Sequence, residues 1–180
     1  DPTSQEEQNR VFTYLLKLNA GAPVKALMDP KITSTVWKEN VKIADENNHP
    51  GRFTAFCSYE WTSMPGNRNL HRNVFFRNEN VPPIPVSYIE APTPEQLWDQ
   101  LESQCLEVGC DALAIPHNPN LSNGRTCSAL DSNGQPYTAQ LARQRVAMEP
   151  LVEIVQHKGD SECRLGVDSS DEQCGFEKVA

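Results

Sequence analysis

The chain has 180 residues, 38% hydrophobic and 22% charged, enough for one domain with a sizeable core and too few for two. Its formal net charge of −8 disfavours non-specific attachment to nucleic acid or to an anionic membrane surface, since either needs a basic face. No apolar run approaches the roughly 18 residues of a membrane helix, and no charged-then-apolar leader opens the chain, so neither a membrane span nor a signal peptide is expected within these residues.

Taken in chain order, Ser4 with Glu7 predicts a capping box ahead of Val11, Phe12, Leu15 and Leu18, a helix with one apolar face. Trp37, Val41 and Ala44 recur at helical spacing, and the polar turn 46–51 closes that helix. Residues 53–60, FTAFCSYE, then alternate with a period of two. Phe53, Ala55, Cys57 and Tyr59 share one face, and Thr54, Phe56, Ser58 and Glu60 the other. Glu60 thus ends a buried strand, where a carboxylate costs several kcal/mol to desolvate unless it is paired or coordinated. Three outcomes are open for it: a salt bridge to Arg68 or Arg72, simple exposure, or a metal ion.

His71 precedes the apolar run 74–76, and in an all-parallel sheet it would lie at the wrong end to join Glu60. The rigid connector Val81-Pro-Pro-Ile-Pro follows. Thr93, Pro94 and Gln96 supply a cap, a first-position proline and a third-position amide for a helix. Leu97, Trp98, Leu101, Cys105 and Val108 form its buried face, and Gly109 stops it. The short apolar strand 112–116 comes next. It delivers His117 within Pro-His-Asn-Pro, which cannot continue as helix, and Asn118, Asn120 and Ser122 follow as short polar groups suited to a supporting shell. A lone loop histidine is more often structural than a ligand.

Residues 121–136 are loop, marked by Asn123-Gly124 and Asn133-Gly134, and a loop this long beside a candidate site is more often functional than accidental. A helix over 139–148, stopped by Pro150, and a strand over 151–156 complete the pattern. Glu153 is either an interior acid or a solvated one, and His157, Lys158 and Asp160 follow that strand. The acidic tail from 166 to 180 is expected to be mobile. No repeat and no pattern specifying an oligomeric state appears.

Six cysteines exceed ordinary usage, and no Cys-x-x-Cys occurs, so neither a thioredoxin motif nor a zinc ribbon is supported. Cys57 and Cys105 fall on apolar faces and are expected as buried thiols. Cys127, Cys163 and Cys174 lie in polar sequence, and a Cys163–Cys174 bridge would close an acidic loop, restricting the unfolded chain by roughly 2–3 kcal/mol. This usage points to a periplasmic or extracellular setting.

The strings SYEWTS, NLHRNVFFR, ALAIPHNPNLSNGR and RQRVAMEPLVEIVQHKGDSE resemble the DUF3604 family, over about residues 37–177. Members of that family are similar to the PHP (polymerase and histidinol phosphatase) metallohydrolases. The resemblance implies an α/β fold, a distorted β/α barrel, with divalent metal at the carboxyl ends of the strands. It also implies Glu60, His71 and His117 as metal ligands, for zinc, manganese or iron rather than calcium. Arg72, Asn118 and Lys158 are then expected as contacts to a small anionic substrate, a phosphoester by default. The His-x-His, Asp-His and Asp-x-His motifs of a PHP-like site are absent. The only histidines are His49, His71, His117 and His157, and the chain is therefore expected to be the middle of a barrel, holding part of a site and inactive alone. A non-catalytic binding module of an exported protein is the competing expectation. A nucleophilic hydrolase built on Cys127 or Ser122 with His117 is disfavoured, because no nucleophile elbow is present.

Overall fold

The computed structural model describes residues 4–19, 29–66, 68–117, 119, 122, 124–156 and 159–160. It is a mixed α/β arrangement in which helices cover one face of a small antiparallel sheet. Asn118, His157, Lys158, the Cys163–Cys174 pair and the acidic tail lie outside the described residues.

Helix α1 (Gln5–Asn19) opens on the expected capping box, in which Ser4 Oγ accepts from Glu7 N and Glu7 Oε2 accepts from Ser4 N, both at 3.2 Å. Its Val11, Phe12 and Tyr14 are exposed. Helix α2 (Pro30–Asn47) starts where Asp29 accepts from Lys31 N at 2.9 Å with proline in the first turn, so the cap sets its origin. It buries Trp37, whose Nε1 donates to Pro82 O at 2.7 Å. The Trp37 ring meets Tyr59 and Phe76 edge-on at 5.7 and 5.9 Å.

The sheet has the order β1-β2-β3, with β1 Cys57–Trp61, β2 Arg72–Phe76 and β3 Ala112–Pro116, and both ladders are antiparallel. Trp61 stands opposite Arg72, and Arg72 opposite Pro116. These three, with Cys57, Val74, Phe76 and Ala114, form the buried face. Strand β1 begins four residues later than the alternation suggested, because Phe53 is held by a backbone bridge to His49 across the turn at Gly51 and residues 54–56 join no ladder.

Helix α3 (Pro94–Val108) has the predicted bounds, with a reciprocal Thr93–Gln96 capping box and Gly109 in the left-handed region at φ 72°. Its Leu97, Trp98 and Leu101 are fully buried, and each such side chain contributes about 1.5–3 kcal/mol of transfer free energy. Cys105 is not a free thiol, as its apolar setting suggested. The Gly109 turn folds the chain back and Cys105 bonds to Cys110, their Cα atoms 4.4 Å apart. Helix α4 (Ala139–Met148) matches its predicted span and is capped by Thr138. It packs against α3 and β3.

The strand expected over 151–156 survives only as β4 (Val155–Gln156), paired with β5 (Gly159–Asp160). Residues 151–154 run alongside β3 through one bond, Glu153 N to Pro116 O at 3.0 Å, and their Leu151, Val152 and Ile154 are exposed. Among the described residues the sheet is open, and no barrel closes.

Candidate functional site

The antiparallel pairing decides which residues meet. Because β1 and β3 each run opposite to β2, the ends of β1 and β3 and the start of β2 lie at one edge of the sheet. His71 precedes β2 and is thereby brought to the same edge as Glu60 and His117, which a parallel sheet would not have done. Backbone contact seals the position, with His117 N donating to His71 O at 3.0 Å.

Alternation carries these side chains to the face opposite the main core. Arg72, Val74 and Phe76 point inward, so His71, Asn73 and Phe75 point outward. The two imidazoles stand with ring centroids 6.3 Å apart, tilted by 59°. Each faces a carboxylate: His71 Nδ1 lies 3.1 Å from Glu60 Oε1, and His117 Nδ1 lies 2.7 Å from Glu153 Oε2. The Glu60 side chain is 46% exposed and that of His71 12%, while His117 and Glu153 are 26% and 27% exposed. The pairs are therefore reachable from solvent without being fully in it. Glu60 is partnered by His71, not by the Arg68 or Arg72 that sequence offered. Glu153 is the member that sequence reasoning left undecided.

Arg72 has a different place from the one expected for a substrate contact. It is buried on the core face, where Nε donates to Glu149 Oε1 at 2.8 Å and Nη1 to Leu70 O at 2.8 Å, and its guanidinium lies 6.0 Å from the Trp61 ring centroid. Glu149 is 3% exposed and also receives Trp98 Nε1 at 3.1 Å, with Arg145 Nε 3.4 Å from its other oxygen. Arg145 further donates to the Thr126 and Ser128 carbonyls. Nothing in the sequence pattern singled out Glu149, although Arg72 could have been placed by its alternation with Val74 and Phe76.

One concavity flanks this edge on the core side and another lies along the outward face, toward the opposite end of the strands. The first, of about 390 Å³, is lined by Arg72, Thr93, Glu95, Arg125, Thr126 and Arg145 among others, so the long loop borders the core-side cavity. Ser122, in the same loop, is buried, with Oγ accepting from Thr126 N at 3.3 Å. The other, of about 420 Å³, is apolar and lies on the outward face, lined by Phe56, Phe75, Leu113, Ile115 and Leu151. The imidazoles thus stand at the head of an exposed apolar sheet face. The Cys57 thiol, on the inward face, is pushed up to about 11 by burial first and by Asp45 second, and Cys127 is exposed.

The donors at this edge suit a divalent ion in kind, with two imidazoles and two carboxylates. Two imidazoles sharing a tetrahedral ion through bonds of about 2.0–2.1 Å stand roughly 5 Å apart, centroid to centroid, so the rings, 6.3 Å apart here, would have to close by about 1 Å on an ion. Among the described residues no three His, Cys, Asp or Glu side chains converge as a ready metal-binding group, so the set falls short in number. No helix among the described residues is long and apolar enough to cross a membrane. Searches of curated proteins and of solved structures found no significant match. A family model described as "Protein of unknown function (DUF3604)" matches residues 2–180, and the chain therefore belongs to the DUF3604 family.

Proposed function

We propose that this edge of the sheet is part of a divalent metal centre of a hydrolase, with Glu60, His71 and His117 as the ligands this chain contributes. The observation that carries the proposal is that the antiparallel pairing brings Glu60, His71 and His117 to one solvent-reachable edge, with the two imidazoles 6.3 Å apart. Zinc, manganese or iron fits mixed imidazole and carboxylate donors. Such an ion, when bound, supplies an acidified water and polarises a phosphoryl or carbonyl oxygen. The chain's own part is to hold the imidazoles side by side through the His117 N to His71 O bond and to keep the Glu153 carboxylate against His117 Nδ1.

A small anionic phosphoester is the proposed substrate class, on the PHP-like resemblance. Asn118, directly after His117, and Lys158 remain its proposed contacts. Arg72 is omitted, since its charge is engaged by Glu149 in the core. The exposed apolar sheet face that runs from the imidazoles supports a further layer that covers it and brings further ligands, although the antiparallel pairing of β1, β2 and β3 departs from the parallel strands of a β/α barrel. The Cys105–Cys110 bond supports an oxidising compartment, periplasmic or extracellular.

Metal content and calorimetric titration with Zn²⁺ and Mn²⁺ test the reading. The 180-residue chain should bind weakly, lose that binding in the His71→Ala/His117→Ala double variant, and turn over no phosphoester. Binding undiminished in the double variant would refute the site.

A further inference from the structure

We propose that Glu153 is a positioning residue for His117: it takes the Nδ1 proton in a hydrogen bond and leaves Nε2 as the atom presented to a ligand. The proposal rests on the metal-centre reading and deepens it, since it adds a group outside the ligand set and states which nitrogen binds.

Three contacts fix His117. Its backbone N–H donates to His71 O at 3.0 Å, its Nδ1 meets Glu153 Oε2 at 2.7 Å, and the Glu153 backbone N–H donates to Pro116 O at 3.0 Å. The last of these pins the Glu153 backbone beside the residue preceding His117, so the carboxylate is delivered by main-chain pairing and does not depend on a long side chain finding its target. A carboxylate oxygen accepts, so Nδ1 carries the hydrogen, and a neutral imidazole then keeps its lone pair on Nε2. Metal-bound histidines are commonly held in this way, with the second ring nitrogen donating to a carboxylate that fixes the tautomer and raises basicity. Glu60 stands in a different relation to His71. Its contact is longer, 3.1 Å, and its side chain is the most exposed of the four, which leaves it free to turn toward an ion. The two carboxylates at the edge therefore divide into one that orients an imidazole and one that ligates.

The test is a tautomer measurement on the isotope-labelled 180-residue chain by long-range ¹H–¹⁵N spectra at about pH 8, above the ordinary imidazole range, with parallel Zn²⁺ titrations. His117 should be the Nδ1–H form in the wild type and in Glu153→Gln, whose amide oxygen still accepts. In Glu153→Leu it should shift toward Nε2–H. Zn²⁺ affinity should fall 10–100-fold in the Leu variant and be partly restored by Gln. Unchanged His71 signals would show that the fold is kept. An Nε2–H form of His117 in the wild type, or a Leu variant with unaltered tautomer and affinity, would overturn the proposal. If no form binds Zn²⁺ while the tautomer still depends on Glu153, the metal reading fails and the orientation of His117 by Glu153 stands.

Discussion

The two faces of the sheet meet at one edge and carry charge in opposite ways. On the inward face Glu149 is 3% exposed and is surrounded by Arg72, Arg145 and Trp98. On the outward face each imidazole faces a carboxylate within reach of solvent. A buried ion cluster with several donors fixes structure, because removing one member strands an uncompensated charge. A half-open pair within reach of solvent can exchange its partner for a ligand. Consecutive residues, His71 and Arg72, fall on the two sides of this division.

The largest expected effect is on the inward side. Glu149→Ala should cost about 3–5 kcal/mol in urea unfolding, since Arg72 Nε and Trp98 Nε1 lose their shared acceptor and two guanidinium groups lose the nearby charge, while Glu153→Ala should cost about 0.5–1.5 kcal/mol through the loss of its hydrogen bond to His117. Equal losses would break the comparison. Next, Cys110→Ala removes the bridge that ties the end of α3 to the start of β3, and should lower stability by about 2 kcal/mol under oxidising conditions, with no such change after reduction of the parent. His71→Ala should alter unfolding by about 1 kcal/mol or less while removing metal affinity. A larger loss would move His71 into the structural group.

The smallest effect is a labelling contrast. Near neutral pH, with peptide mapping, Cys127 should react with a thiol reagent in the folded chain and Cys57 should not. Burial disfavours the Cys57 thiolate. Its raised value means that the folded state holds the proton more tightly, so this contribution to stability is intact below the ordinary 9.0 and is lost as pH rises toward about 11. Labelling of Cys57 at the rate of Cys127 would show that the inward face opens readily.

Much of the helical framework was legible because its signals are local. Thr93 with Gln96, Gly109, Pro150 and the stripe of Leu97, Trp98 and Leu101 each act within a turn or two of chain. Strand limits were less so. Residues 53–56 have the composition of a strand, yet Phe53 is taken by His49 and leaves the ladder, which depends on a partner that composition does not name. The site was half legible. Glu60 and His117 announce themselves by following apolar runs, but whether His71 joins them depends on strand direction, a tertiary property. Glu149 sits after a helix end among ordinary residues, and its role exists only because Arg72 and Trp98 arrive from elsewhere in the chain.

The most direct test of the division between the two faces is anomalous diffraction from crystals soaked in Zn²⁺. An ion bound between the imidazoles, about 2.0–2.1 Å from the Nε2 atoms of His71 and His117, with Glu149 still enclosed by its arginines, is the result expected. Zinc at the Nδ1 atoms, at the Glu149 cluster, or nowhere near the two imidazoles would contradict the account.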